Sequence, residues 1–371
     1  MSQRNKKKVL VLGGTGAIGV ELIRLLSGTK QFWIYVTSRK SRKSNDENII
    51  YVQGNAHDNS FMSELLLQRA YDVIVDFMIY KTDEFKNRYE LLLANTEQYV
   101  FLSSARVYAE SIEKITEKSA RLLDVCKDMD YLKTDEYALS KARQEDILKN
   151  SGKQNWTIIR PYITYNDERM QLGVFEKEKW LYRALRNHTI VFSKDIARAM
   201  TTMTYGGDVS KGIASIIGEK KAYGEVFQIL QSEPIKWQNV LGIYLKIIEN
   251  KTGLTPKVIM LDESRTMVKY AGGKYQTIYD RLYDRIFDNC KIIEYCPEMK
   301  DSLRVSEGIE KCLSSFLSDN RNFKNINWKF EGFADRIAKE HYSLKDISGV
   351  TNKIKYLLAR YTRFFDFYNN Y

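Results

Sequence analysis

The chain has 371 residues, of which 44% are apolar and 28% charged, and it carries a formal net charge of +11. These proportions are those of a globular protein and exclude a disordered or collagen-like chain. No uninterrupted apolar run approaches the roughly 20 residues of a membrane helix, and the basic start MSQRNKKK leads into an apolar run too short for a signal peptide. A soluble, cytoplasmic protein of two domains, or of one large α/β domain with an appended lobe, is therefore expected.

The cysteines (Cys126, Cys290, Cys296, Cys312) match no zinc spacing, and the histidines (His57, His188, His341) are scattered. Free thiols in a reducing compartment and no metal are the expectation, with proton chemistry done by something other than histidine. Part of the basic surplus is local, at Lys6 to Lys8 and again at Arg39, Lys40, Arg42 and Lys43. It reads either as a solvated surface or as attraction for a substrate bearing phosphates.

In chain order, Val9 to Leu12 is a short buried strand followed by Gly13-Gly14-Thr15-Gly16-Ala17-Ile18-Gly19. Ile18, Leu22, Leu25 and Leu26 then fall at helical spacing, and Gly28 closes the run. Between a strand and a helix, Gly13 permits a tight turn, Gly16 lets a diphosphate approach the backbone, and Gly19 lets helix pack on strand. The free N–H groups of the helix start then hold the anion. Phe32 to Thr37 is a second strand, running into Ser38-Arg39-Lys40 with no carboxylate. Hydroxyl and guanidinium donors there suit a 2′-phosphate, favouring NADP slightly over NAD. Asn55, just after the third strand (49–52), is placed to meet the adenine edge.

Strand runs recur at 73–77, 99–104, 156–161 and 224–230, with helical patterns between them. Strand alternating with helix predicts an α/β fold, a Rossmann-type doubly wound parallel sheet, with a smaller, mostly helical C-terminal substrate domain. Residues 1–165 form the dinucleotide-binding domain, with 200–232 packing onto it. Residues 166–199 and 233–371 form the substrate lobe and an extension. In that extension Ile354, Leu357, Leu358, Tyr361 and Phe365 are expected to share one side of a helix.

Two Tyr-x-x-x-Lys matches occur, Tyr137 with Lys141 and Tyr270 with Lys274. Composition alone would supply about two or three, so context must choose between them. Tyr270 is followed by Ala-Gly-Gly, poor helix material, whereas Tyr137 opens the good helix sequence YALSKARQEDILK. Four residues make about one turn, so Tyr137 and Lys141 share a face, and an ammonium beside a phenol favours phenolate. Ser104, at the carboxyl end of the fifth strand, can hold the reacting oxygen.

At these residues the sequence resembles the extended short-chain dehydrogenase/reductase superfamily, the NAD-dependent epimerase/dehydratase family of nucleotide-sugar enzymes. The resemblance spans roughly residues 8 to 255. It rests on GGTGAIG, SSARVY, YALSK, IIRPYITY, TYGGDVSKGI and GEVFQI, in that order. It implies Ser104, Tyr137 and Lys141 as a catalytic trio, Lys141 on the nicotinamide ribose, and Pro161 and the residues after it beside the nicotinamide. The implied substrate is a nucleotide-activated sugar, reduced or epimerised through hydride transfer at a sugar carbon, with C4 the expected one, in surface polysaccharide or glycoconjugate precursor synthesis. A homodimer is a family expectation. The family's 4,6-dehydratases carry Asp-Glu after the catalytic hydroxyl; Ala105 and Arg106 stand there in this divergent member, which discounts dehydration. Arg160, Arg183 and Arg186 are candidate diphosphate contacts. Nucleic acid is not the expected partner, although the alternative is a non-catalytic relative binding RNA or a regulatory partner, motivated by the charge and the basic, aromatic tail.

Overall fold

A computed structural model describes residues 6–319 and 322–368. Seven apolar runs become strands: β1 (Lys7–Leu12), β2 (Phe32–Ser38), β3 (Ile49–Gln53), β4 (Tyr71–Asp76), β5 (Thr96–Leu102), β6 (Trp156–Pro161) and β7 (Glu225–Ile229). All pair in parallel, in the order β7-β6-β5-β4-β1-β2-β3. Near-continuous apolar strands need cover on both faces, and helices supply it. One face is closed by α1 (Ala17–Gly28) and α3 (Gly206–Ile216), whose Leu22, Leu26, Val209 and Ile213 share a core with Val9 and Val36. Ile292 and Met299 join that core from far along the chain. The other face is covered through Met62, Leu65, Phe85, Leu92 and Leu148, the last from α2 (Tyr137–Lys149).

Strand order reverses at the β1–β4 pair, where Leu12 lies beside Asp76. Chains leaving these two strands diverge to opposite faces, which opens a crevice at the carboxyl edge of the sheet. Over that crevice sits a second, mostly helical core built from Trp180, Phe192, Trp237, Tyr244, Ile309 and Phe330. Its main helices are α4 (Trp237–Thr252), α5 (Val305–Ser318) and α6 (Trp328–Ala338).

The terminal helix α7 (Val350–Tyr361) presents a different side from the expected stripe. Ile354 and Tyr361 are exposed, at 52% and 65%, while Tyr356 and Ala359 are buried against α6. The close approach selects that side: a Cβ at Gly332 would stand 2.4 Å from the Tyr356 carbonyl oxygen. The chain turns extended at Thr362, so Phe365 belongs to a separate short helix, Phe364–Tyr368. No helix among the described residues is long and apolar enough to cross a membrane.

Candidate active site

The crevice holds a cavity of about 710 Å³ that runs from the glycine turn, past Ser104 and Tyr137, to the helical lobe. Gly13, Gly16, Ile18 and Gly19 form its sheet end, with Phe77 and Ile79 beyond β4 and Pro161, Tyr162 and Ile163 beyond β6. The three glycines have separable jobs. Gly13 takes φ +70°, a conformation that side chains rarely adopt. A Cβ at Gly19 would lie 2.6 Å from the Gly14 backbone, so this glycine sets how closely α1 meets the turn. A Cβ at Gly16 would meet nothing nearer than the Gly13 carbonyl oxygen at 3.8 Å. Protein packing leaves that side of Gly16 open, and no side chain caps the start of α1. Free N–H groups at the start of a three-turn helix, beside open space, fit a dinucleotide diphosphate.

Past β5 the chain turns at Ser104, whose hydroxyl accepts from the Arg106 N–H at 3.2 Å. Tyr137 begins α2 because Glu136 caps the helix, its carboxylate accepting from the Ala138 N–H at 2.8 Å. The ring of Tyr137 is partly open to the cavity while its hydroxyl end is enclosed. Burial pushes the phenol above its ordinary 10, and the Arg106 and Arg169 guanidiniums and the adjoining Ser104 hydroxyl pull it back down. Ser104, Tyr137 and the glycine turn therefore face one cavity, with Tyr137 a protonated phenol at neutral pH.

Lys141 turns its ammonium to other partners. Its ammonium sits under the cavity wall, 3.4 Å from the Met78 carbonyl oxygen and 4.5 Å from the centre of the Phe101 ring. Burial lowers it to about 8, against the pull of Asp76 and Glu145. Asp76, buried at the end of β4, accepts from Tyr80 (2.9 Å), Tyr99 (2.8 Å) and the Met78 N–H (2.9 Å). The cation against Tyr137 is Arg106, 5.3 Å from its ring centre. Arg106 was legible only as a residue unfit for dehydration; its neighbour Ser104 was the available signal. Arg169, Gln171, Lys179 and Arg281, from the lobe, also line the cavity, and no local spacing marks them.

The three arginines expected as diphosphate contacts lie outside this cavity. Arg160 is buried on Glu145, Nε to Oε1 at 2.8 Å, with its guanidinium over the Tyr108 ring. Arg183 is buried between Glu331 (2.8 Å) and Asp335 (2.9 Å), where it clamps the lobe. Arg186 lies on the Tyr182 ring at 3.8 Å, beside a separate cavity near Phe323 and Trp328. None of the three lines the cleft: Arg160 and Arg183 are buried guanidiniums that need their own carboxylates, and Arg186 is exposed at the other cavity. Ser38 closes a local turn with Lys40, its hydroxyl donating to the Lys40 carbonyl at 2.8 Å, and Arg39 is exposed at the end of β2. Asn55 caps the turn into the next helix, accepting from the His57 N–H at 3.2 Å. Thr15 is exposed at the tip of the glycine turn. The rival tyrosine, Tyr270, is in the lobe core, stacked on Phe333 and donating to Asp366 at 2.6 Å. His188 is less isolated than its sequence position suggested: Asp335 and Glu340 come within 4.8 Å of it, with Arg183 on the same carboxylates.

A sequence profile described as NAD(P)H-binding matches residues 13–204, more than half of the chain. Among curated proteins, the chloroplast stem-loop binding protein of 41 kDa b from Arabidopsis thaliana is 25% identical over 242 residues, 62% of this chain. The chain spans about 60% of that relative's length. An epimerase from Methanothermobacter thermautotrophicus superposes with a TM-score of 0.62 at 14% identity, covering 85% of this chain and 93% of the other. UDP-glucuronic acid 4-epimerase from Bacillus cereus, solved with UDP-glucuronic acid and NAD, gives 0.60 at 15% identity over 85% and 100% of the two chains. The dTDP-glucose 4,6-dehydratase from Bacillus anthracis, solved with NAD, gives 0.62 at 15% over 85% and 97%. The chain thus belongs to the NAD(P)H-binding family, as a divergent member with the fold of the extended short-chain dehydrogenase/reductases.

Proposed function

We propose that the protein is an NAD(P)-dependent oxidoreductase or epimerase acting on a nucleotide-activated sugar, with Tyr137 handling the proton at a sugar oxygen, at C4. One observation carries this reading: Ser104 and Tyr137 line the same cavity as the open side of Gly16. Gly13 to Gly19 hold the diphosphate of the dinucleotide, Arg39 and Ser38 meet a 2′-phosphate, and Asn55 the adenine edge. When bound, the nicotinamide supplies or accepts hydride at the sugar carbon. Ser104 holds the reacting oxygen within reach of Tyr137, and Pro161 with the residues after it confines the reacting groups. Lys141 braces Met78 below the cavity and reaches the nicotinamide ribose from there.

A phenol that stays protonated at neutral pH is better suited to giving a proton to a ketone than to taking one from a hydroxyl. Reduction of a keto-sugar is therefore favoured over epimerisation. The purified protein, mixed with 4-keto nucleotide sugars and NADPH or NADH, should consume the reduced nicotinamide's absorbance. A changed sugar without absorbance loss would assign epimerisation, and no reaction with any such sugar would overturn the reading. A cytoplasmic enzyme of polysaccharide precursor synthesis, working as a homodimer, is the setting this reading suggests.

One finding supports a second reading, binding of structured RNA: the similarity to a stem-loop binding protein in a chain of net charge +11. Stem-loop RNA retained on filters by the wild type and equally by Tyr137→Phe, with affinity falling steeply with salt, would support it.

A further inference from the structure

We propose that Arg106 is the positioning residue for Tyr137: it holds the phenol in the cleft and supplies the charge that offsets the phenolate. The inference rests on the reading that Tyr137 handles a proton, and it gives a role to a position that the sequence marked only as unfit for dehydration.

The geometry is that of a fixed charge. The guanidinium lies 5.3 Å from the centre of the Tyr137 ring and lines the same cavity. Its Nη2 donates to Glu136 at 2.6 Å, its Nε stands 3.7 Å from Asp280, and its own backbone N–H is held by Ser104. The side chain is 13% exposed, so it has little room to swing away. Glu136 does two jobs with one carboxylate, anchoring the guanidinium and capping the helix that begins at Tyr137. Tyr131 donates to the same carboxylate at 3.2 Å, which fixes it further. Any movement of Arg106 is thereby coupled to the start of α2.

The other charges near Tyr137 are less suited to this work. Arg169 is nearly half exposed and paired with Glu176 at 3.1 Å, so water screens it. Glu136 opposes a phenolate, and Arg106 neutralises it. Lys141, one turn along, has its ammonium turned to the Met78 carbonyl, the Phe101 ring and the Asp76 side of the sheet. When Tyr137 gives its proton to a substrate oxygen, its O–H bond breaks as the new O–H forms. The negative charge left on the phenolate then faces Arg106 until water returns a proton. The low exposure of the Arg106 side chain strengthens that attraction relative to water.

The test places a single difluorotyrosine at position 137 and follows its fluorine resonance against pH, a readout that needs neither cofactor nor turnover. In Arg106→Gln the midpoint should rise by about one unit or more, the size expected for losing an opposite charge at this range. Arg106→Lys should recover part of the shift, and Lys141→Met should move the midpoint less than Arg106→Gln does. An Arg106→Gln midpoint within error of wild type, or a larger shift in Lys141→Met, would overturn the proposal. If Arg106→Gln fails to fold by near-ultraviolet circular dichroism, Arg106→Met, which also lacks the charge, decides, and an unshifted midpoint there sinks the idea. The pH profile of keto-sugar reduction separates the two layers. Turnover without a resonance shift removes Arg106 and keeps the function, while a shift with no turnover on any sugar does the reverse.

Discussion

Replacing Lys141 with methionine should stabilise the protein at neutral pH. The side chain is buried at 2% exposure, and its surroundings hold the ammonium at about 8 against an ordinary 10.5. At about 1.4 kcal/mol per tenfold change in proton affinity, that is about 3 kcal/mol withheld from folding. Because the folded value lies below the unfolded one, the unfolded chain binds more protons between about 8 and 10.5. Stability of the wild type therefore rises with pH through that window, and the penalty is present in full only below it. Methionine has a similar length and no charge. It forgoes the long hydrogen bond to Met78 and the contact with Phe101, which together offset about 1 kcal/mol. The expected gain is about 2 kcal/mol near pH 7, shrinking towards zero near pH 10. Guanidinium unfolding of both proteins at the two pH values measures it. A variant less stable than wild type near neutrality, or a gain indifferent to pH, would refute the reasoning. Lost turnover in the more stable variant would mark Lys141 as a residue kept for function against stability.

Tyr137→Phe should lower the hydride-transfer rate by about 10²–10⁴-fold while dinucleotide affinity, measured by fluorescence titration, stays near wild type. Gly16→Val should fold normally, since its Cβ meets only a carbonyl oxygen at 3.8 Å, yet bind dinucleotide at least about tenfold more weakly as the side chain takes the diphosphate's space. Gly19→Val should instead lose stability outright, because its Cβ lands 2.6 Å from the Gly14 backbone; thermal melting of the two variants tells them apart. Arg183→Met should cost about 3–5 kcal/mol in denaturant titration by stranding Glu331 and Asp335, with the KM of the enzyme that remains folded unchanged. Arg39→Asp should shift the ratio of dinucleotide affinities from NADP towards NAD, measured by direct titration of each.

The parts of the fold that the sequence displays are those governed by short-range chemistry. Each strand is a short, apolar-rich and largely buried segment, so its place in a parallel sheet follows from local pattern, and Gly13, Gly16 and Gly19 mark the turn at fixed offsets. The choice of Tyr137 over Tyr270 was equally local, because Ala-Gly-Gly ends one helix and ALSK continues the other. What escaped was set by pairing across long separations. Arg183 meets Glu331 and Asp335 roughly 150 positions away, and nothing near it in sequence distinguishes a structural guanidinium from one reserved for phosphate. The buried side of α7 was misjudged for the same reason. Apolar spacing favoured Ile354 and Tyr361, whereas the missing side chain at Gly332 drew in Tyr356 and Ala359.

Net charge misleads at the cleft for a related cause. The +11 of the whole chain was read either as a solvated surface or as attraction for phosphate, but several arginines are spent internally, Arg160 on Glu145 and Arg183 on the lobe carboxylates. Part of the positive charge at the cleft comes from an imbalance around one carboxylate, beside Arg169 and Lys179 in the same cavity wall. Asp280, buried on the lobe side, is approached by three guanidiniums: Arg281 directly, Arg285 at 2.9 Å and Arg106 at 3.7 Å. One carboxylate cannot neutralise three cations, and Glu136 accounts for only one more charge. Arg106 and Arg281 carry that remainder in the wall that faces Tyr137, where their low exposure limits screening by water. An anionic substrate and a developing phenolate would both draw on that same local excess. Changing surface lysines should leave it untouched, because its origin is the ratio of arginines to carboxylates around Asp280 and owes nothing to the sign of the chain as a whole.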